Sequence, residues 1–235
     1  VLACIFTVFA QNGPQFETIL ADVQNMEVDS NVSRREALLA MLEGRGIPFE
    51  LENFDIELNS LVRRTTGTNI VVTIGEGSSD IVIGAHYDAV WLRGEILSRG
   101  AVDNAASSVI LTRLADTLQD ERLRHRIRIV FFDMEEIGLR GSRSYIQNHE
   151  ADQIDAAINL DINGFGDTLI IGPTAVESNA PLFDLVAELC VEHSFSCRPF
   201  EVYPDSDHLS FQRAEVPSIS FSVLPEDKAN ELWIA

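Results

Sequence analysis

A chain of 235 residues, 46% of them hydrophobic and 23% charged, can bury one sizeable core and suits a single α/β domain better than two small ones. Its 17 basic and 37 acidic side chains give a formal charge of −20, so no basic footprint exists for nucleic acid or an anionic membrane surface. The acidity fits a self-repelling soluble surface, and it also leaves room for a few carboxylates that hold cations.

Residues 1–10 (VLACIFTVFA) are apolar and uncharged, and QNGPQ follows. Ten residues are too few to cross a bilayer. The stretch is similar to the apolar core of a signal peptide without its basic start, with Ala10 as the cleavage position; the competing reading is a buried first strand. The expectation is an exported domain over 11–235, secreted or periplasmic, with no stable membrane insertion of its own. Downstream, Ser33-Arg34-Arg35-Glu36 reads as a capping box. It opens a helix with Leu38, Leu39 and Leu42 inward and Gly44 and Gly46 as its stop.

Residues 69–74 (NIVVTI) and 81–85 (IVIGA) read as strands separated by the turn signal at 75–79. The spacing of Ala106, Ile110, Leu114 and Leu118 predicts a helix from Asn104 to about Leu118. A strand over 127–133 follows, then a short helix from about Leu139 to Asn148, and strands near 157–161 and 168–171. Pro181 suits a helix start, with Leu182, Leu185, Val186, Leu189 and Cys190 along one face. A last strand covers 217–222. Strands alternating with helices, several of them apolar throughout, predict an α/β fold with a mainly parallel mixed sheet sandwiched by helices.

Cysteine usage bears on the compartment. Cys4 would leave with a cleaved leader, and Cys190 and Cys197 would remain. In an exported protein these two could pair; a buried free thiol at Cys190 is the other reading. No Cys spacing suggests a structural zinc site.

In a parallel sheet, ligands bind beyond the carboxyl ends of the strands. His86 and Asp88 follow strand 81–85, Glu135 and Glu136 follow strand 127–133, and Asp161 ends AAINLD. Asp103 sits at the helix start in GAVDNAAS, and His208 lies in the loop SDHLSF before the last strand. Taken singly, each has a plain structural reading: a His–Asp pair, a helix cap, a solvated turn. Together they place two His and several carboxylates on one sheet edge, which is the donor mix of hydrolytic zinc. The adjacent charges of Glu135 and Glu136 also require a cation or a proton nearby.

The segments GAHYDAV, GAVDNAAS, FFDMEEIGLRGS, NLDING and SDHLSF, in this order between roughly Asn69 and Ser222, resemble the zinc aminopeptidase family of co-catalytic di-zinc exopeptidases. That family includes secreted bacterial leucine-type aminopeptidases, with glutaminyl cyclases and glutamate carboxypeptidases as relatives. The resemblance implies a zinc-exopeptidase (phosphorylase/hydrolase-like) architecture, two Zn2+ per chain and peptide substrates with a free N-terminus. It implies that His86 and Asp161 bind one zinc, Glu136 and His208 the other, and that Asp103 bridges both. Asp88 would orient His86 through its second ring nitrogen. Glu135 would be the general base, taking a proton from the attacking water and returning it to the leaving amine. In an extended segment adjacent side chains diverge, so Glu135 and Glu136 can serve different partners.

The chain ends at ELWIA, where the family usually continues through a closing helix, so the domain over 11–235 is expected to be truncated at its C-terminus. Tyr203 lies near His208 without an assigned role, and His125, His149 and His193 match no motif and read as surface residues. Among enzymes, a di-zinc carboxypeptidase or other amidohydrolase is the alternative, followed by a glutaminyl cyclase, whose single zinc would need no bridging carboxylate. A non-catalytic binding domain should have lost a ligand or the base, and here none is missing.

Overall fold

The structure, a computed structural model, describes residues 14–57, 65–93 and 96–234. The leader-like residues 1–10 lie outside them, with Ala10 and Cys4. Eight strands form one sheet: β1 (Glu50–Asp55), β2 (Thr66–Ile74), β3 (Asp80–His86), β6 (Arg126–Phe132), β7 (Ile154–Leu160), β8 (Thr168–Gly172), β9 (Cys197–Pro199) and β10 (Ser218–Leu224). β4 (Trp91–Leu92) and β5 (Ile96–Leu97) pair as a separate antiparallel ribbon. The sheet order is β1-β2-β6-β3-β7-β10-β8-β9. The centre β6-β3-β7-β10 is parallel, whereas β1–β2, β2–β6 and β8–β10 are antiparallel.

The period-2 alternation of strand side chains divides the core in two. Ile83 and Ala85 of β3 join Val23 of α1 (Pro14–Asn25), Leu38 and Leu42 of α2 (Asn31–Gly44), Leu111 and Leu114 of α3 (Ala106–Leu118) and Val186 of α5 (Ala180–Glu192). Val82, Val130 and Phe132 join Tyr145 of α4 (Arg140–Asn148) and Phe211 of α6 (His208–Arg213) on the other face. Helices therefore cover both faces, and the central strands are mostly buried, as the sequence predicts. α7 (Glu226–Ile234) follows β10, where the sequence suggested no element. Among the described residues no helix is long and apolar enough to cross a membrane.

Two predicted boundaries move for local reasons. Ser30, with extended backbone, is the N-cap of α2 and accepts from the Ser33 amide at 3.0 Å; Ser33 lies in the first turn and is not itself the cap. This shift turns Arg34 inward. At the other end Gly46 adopts φ +67°, while its amide and that of Ile47 reach back to Glu43 O and Leu42 O. That is the Schellman stop a glycine favours. The second shift is in the helix expected from Asn104. Asp103 and Asn104 are joined by a cis peptide with non-helical backbone, and the regular helix begins at Ala106.

Cys190 and Cys197 form a disulfide between the end of α5 and the edge strand β9. This decides between the two readings of Cys190. Removing it by a paired Cys→Ser change is expected to cost about 2 kcal/mol, the chain-entropy value for so short a loop. The urea midpoint of the oxidised parent and of the double variant measures it, and equal midpoints would refute the expectation.

Candidate metal centre

The parallel register aligns the ends of three strands. His86, the last residue of β3, pairs with Phe132, the last of β6, while Gly84 pairs with Asn159 of β7. The turns leaving these strands therefore meet. Gly84 has no room for a side chain, because a Cβ there would lie 2.3 Å from the Phe132 ring.

The turn after β6 is tightly built. Asp133 O accepts from Gly141 N, Met134 O from Arg140 N, and Glu135 O from both Gly138 N and Leu139 N. Asn69 clamps it from β2, accepting from Asp133 N and donating to Gly141 O. Met134 and Leu139 are left-handed, at φ +59° and +58°, on either side of the glutamate pair. Non-glycine residues held this way cost of order 1–3 kcal/mol each and gather at functional sites. Glu135 and Glu136 thus stand in a bend and turn, not in the extended segment the sequence suggested.

Asp88 ties this turn to β3. Its Oδ1 accepts from Glu135 N at 3.0 Å and its Oδ2 from Glu136 N at 3.3 Å. His86 Nδ1 lies 3.1 Å from the backbone oxygen of Asp88 and 3.5 Å from its carboxylate. Asp88 therefore meets the expected ring nitrogen mainly through its carbonyl, and spends its carboxylate on the glutamate amides.

The other ring nitrogen, His86 Nε2, lies 3.2 Å from Asp103 Oδ1 and 3.4 Å from Asp161 Oδ1. Among the described residues, His86, Asp103 and Glu136 offer ligand atoms all within 4.8 Å of one another. The residues fit a zinc ion on two counts. With zinc–donor bonds of about 2.0–2.1 Å, two donors of a tetrahedron stand roughly 3.3 Å apart. In addition, Glu136 Oε1 and Asp161 Oδ1 are buried without a hydrogen-bond partner, as a cation's ligands would be.

His208 is placed differently. It opens the short helix α6 rather than lying in a loop. Its Nδ1 is 3.0 Å from Ser220 Oγ, the Tyr203 ring packs edge-on against it, and Nε2 is buried without a hydrogen bond. It is not part of the 4.8 Å group. Burial, reinforced by Arg213, lowers its pKa to about 4. The preceding Asp207, which the sequence reading passed over, is fully buried with both carboxylate oxygens unpartnered. Tyr203 is buried too, its hydroxyl on Ser222, which in turn donates to Asp161 O.

His125 pairs with Asp155 at 3.1 Å, and exposed His193 packs near Phe195. His149 is less of a surface residue than expected, since it stacks on Tyr145 at 4.0 Å and meets Glu52 at 2.9 Å.

The charge balance is lopsided without a cation. Burial raises the Glu135 pKa to about 9, with Asp207, Asp161 and Asp88 adding and His86 opposing. Burial likewise raises Glu136 to about 7, with Asp103 the leading neighbour. Burial works against charge on His86, yet Glu135, Asp103, Asp161 and Asp88 outweigh it and hold the imidazole well above its ordinary value. For all three groups the folded state keeps a proton that the unfolded chain has released. Their stabilisation is therefore present at acid pH and lost as pH rises through the folded values. Chelator-treated protein is expected to melt at a lower temperature at pH 8.5 than at pH 5.5. Added zinc should reverse the order, because metal competes with those protons. Unchanged melting across this range in the chelated protein would contradict it.

Comparison with known proteins agrees with this architecture. The family model described as Peptidase family M28 matches residues 69–233. A leucine aminopeptidase 1 from Colletotrichum graminicola is 27% identical over 174 residues, covering 64% of this chain and 43% of the relative. Hence the chain spans less than half the length of that relative. Among solved structures, a zinc aminopeptidase from Bacillus subtilis superposes with a TM-score of 0.60 at 24% identity, covering 68% of this chain and 41% of that one. A glutaminyl cyclase from Porphyromonas gingivalis gives 0.71 at 20% identity, covering 89% and 82%. At such identities the two structures speak for the fold.

Proposed function

The chain belongs to peptidase family M28, and from that membership and the cluster's geometry we propose that it is a zinc-dependent aminopeptidase acting on peptides with a free N-terminus. The observation that carries the reading is the meeting of Asp103 and Asp161 on one nitrogen of His86, with Glu136 beside them. His86, Asp103 and Asp161 would hold one ion. Asp103 would also serve a second position, with Glu136 and His208 as its other donors. An ion held there would supply polarisation of the scissile carbonyl and a lowered pKa for a water molecule. His208 belongs to this proposal as the partner of Glu136 at the second position: Ser220 holds its Nδ1, and its Nε2 is buried without a hydrogen bond, as a cation's ligand would be.

The chain's own residues do the rest. Glu135 takes the proton from the attacking water on its carboxylate and returns it to the leaving amine. Its elevated pKa in the bare cluster favours keeping that proton, and a cation close by draws the value down again. Asp88 holds Glu135 and Glu136 at fixed separation by bonding both amides. The Cys190–Cys197 disulfide supports an oxidising destination, hence export.

The test is to count zinc per chain and assay three substrates: an amino-acid arylamide, its N-acetylated form and a peptide beginning with glutamine. Cleavage of the free-amine arylamide alone supports the proposal. Cyclisation of the glutamine peptide without arylamide cleavage would sink it in favour of a glutaminyl cyclase, and cleavage of the acetylated form would point to another amidohydrolase.

A further inference from the structure

Arg34 is among the largest fully buried side chains of the molecule. It projects from α2 into the space behind the metal-binding loops, and its hydrogen bonds end on backbone carbonyls. Nε donates to Tyr87 O at 2.7 Å, Nη1 to Met26 O and Arg99 O at 2.9 Å each, and Nη2 to Gly100 O at 3.1 Å. Tyr87 lies between His86 and Asp88, while Arg99 and Gly100 lead directly into Asp103. One guanidinium therefore grips both ends of the segment joining the first candidate ligand to the shared one.

Two further observations show that the contact is built. Gly100 has φ +56°, and a Cβ there would lie 3.0 Å from Arg34 Nη1 and 2.8 Å from Asp103 O. The glycine thus permits both the left-handed turn and the close approach. The charge is also matched to the site. Burial disfavours the guanidinium's charge, and the carboxylates of Asp88, Asp103 and Glu136 are the leading groups that favour it. A planar fork that donates on several sides is specific to arginine; a lysine ammonium cannot reach the same carbonyls from one point.

We propose that Arg34 is a positioning residue of the metal centre, setting the separation of His86 and Asp103 through the carbonyls of Tyr87, Arg99 and Gly100. The inference rests on the metal reading above. The cluster is pre-arranged for an ion because this segment is fixed at both ends, and loss of the grip lets Asp103 drift from the His86 nitrogen. Asn31 of α2 reinforces the same hold, donating to Ala89 O and accepting from Ala89 N.

The experiment measures zinc affinity on chelator-stripped, folded protein by competition with a coloured chelator, well below the melting temperature. Arg34→Lys keeps the charge and loses the fork, so a change in affinity reports geometry. It is expected to bind zinc about 10–100-fold more weakly, the usual cost of disturbing an outer-shell partner. Gly100→Ala disturbs the same contact from the other side with Arg34 intact, and is expected to act in the same direction. It also keeps the test alive if the lysine variant fails to fold. Val186→Ala, in the core under α5, serves as the destabilised comparator and should leave zinc affinity within about twofold of the parent, as expected for separated sites. Parent-like zinc affinity in both Arg34→Lys and Gly100→Ala would overturn the inference. So would an equal loss in Val186→Ala, since that would reflect stability alone. A parent protein that binds no zinc would sink the metal reading itself, and the inference with it.

Discussion

Glu135→Gln is expected to lower kcat on an amino-acid arylamide by about 10²–10⁴-fold, the usual contribution of a positioned general base. Zinc content should stay unchanged. The amide is nearly isosteric, so the turn should survive: its anchors are the Glu135 carbonyl, held by Gly138 and Leu139, and the Glu135 amide, held by Asp88. What is lost is the atom that accepts a proton. The same substitution removes one of the carboxylates that raise His86, so the chelated variant should lose less stability between pH 5.5 and 8.5 than the parent. Steady-state kinetics with zinc analysis of the same preparations decides it. Loss of zinc in parallel with loss of turnover would reassign Glu135 as a ligand.

Asp103→Asn should fail in the opposite way. Asp103 is the carboxylate proposed to serve both positions; it lies 3.2 Å from His86 Nε2 and inside the 4.8 Å group with Glu136. An amide keeps the shape and removes the negative charge. Zinc affinity is expected to fall by more than about 100-fold, beyond the 10–100-fold typical of outer-shell changes. Activity should then return in part when zinc is raised. In the folded parent His86 and Arg34 outweigh burial and lower the Asp103 pKa, so this group is ionised across the neutral range. A variant that retains two tightly bound zinc ions would show that the ions do not share Asp103.

The two substitutions separate roles that sequence adjacency blurs. Glu135 and Glu136 were legible as a pair at the end of a buried strand, and their like charge pointed to a cation. How they diverge was not legible. An alternating strand would send them to opposite faces, yet the structure separates them in a turn entered through left-handed Met134 and left through left-handed Leu139. Neither residue type announces that conformation; the clamp from Asn69 and the amide bonds to Asp88 impose it.

His208 and Asp207 give a second case. A histidine in SDHLSF invites a ligand role because histidine is a common zinc donor. A six-residue helix determines which of two neighbouring side chains faces where, and a loop motif does not encode the start of that helix. Ser220 holds His208 at Nδ1 and leaves its Nε2 unpartnered, while the buried Asp207, not named from the sequence, bears on His86 and Glu135. Arg34 was hidden for a similar reason. The sequence places it only in a capping box; with the cap at Ser30 it lies one turn before Leu38 on the buried face of α2.

The sequence by itself determined the class of this protein. Apolar runs interleaved with helical periodicities dictate a buried, mainly parallel sheet, and such a sheet gathers its polar strand-end residues at one edge. His86, Asp88, Asp103, Glu135, Glu136, Asp161 and His208 could be named because each stands at or near a strand or helix end that the local chain marks. The tertiary structure alone decided which of their atoms meet. The separation of His86 from Asp103 depends on a guanidinium in α2, and the setting of the glutamates depends on an aspartate in the loop after β3. Those contacts join residues from 47 to 66 positions apart. Pattern reaches only as far as the period of a helix or strand, and packing sets everything beyond it.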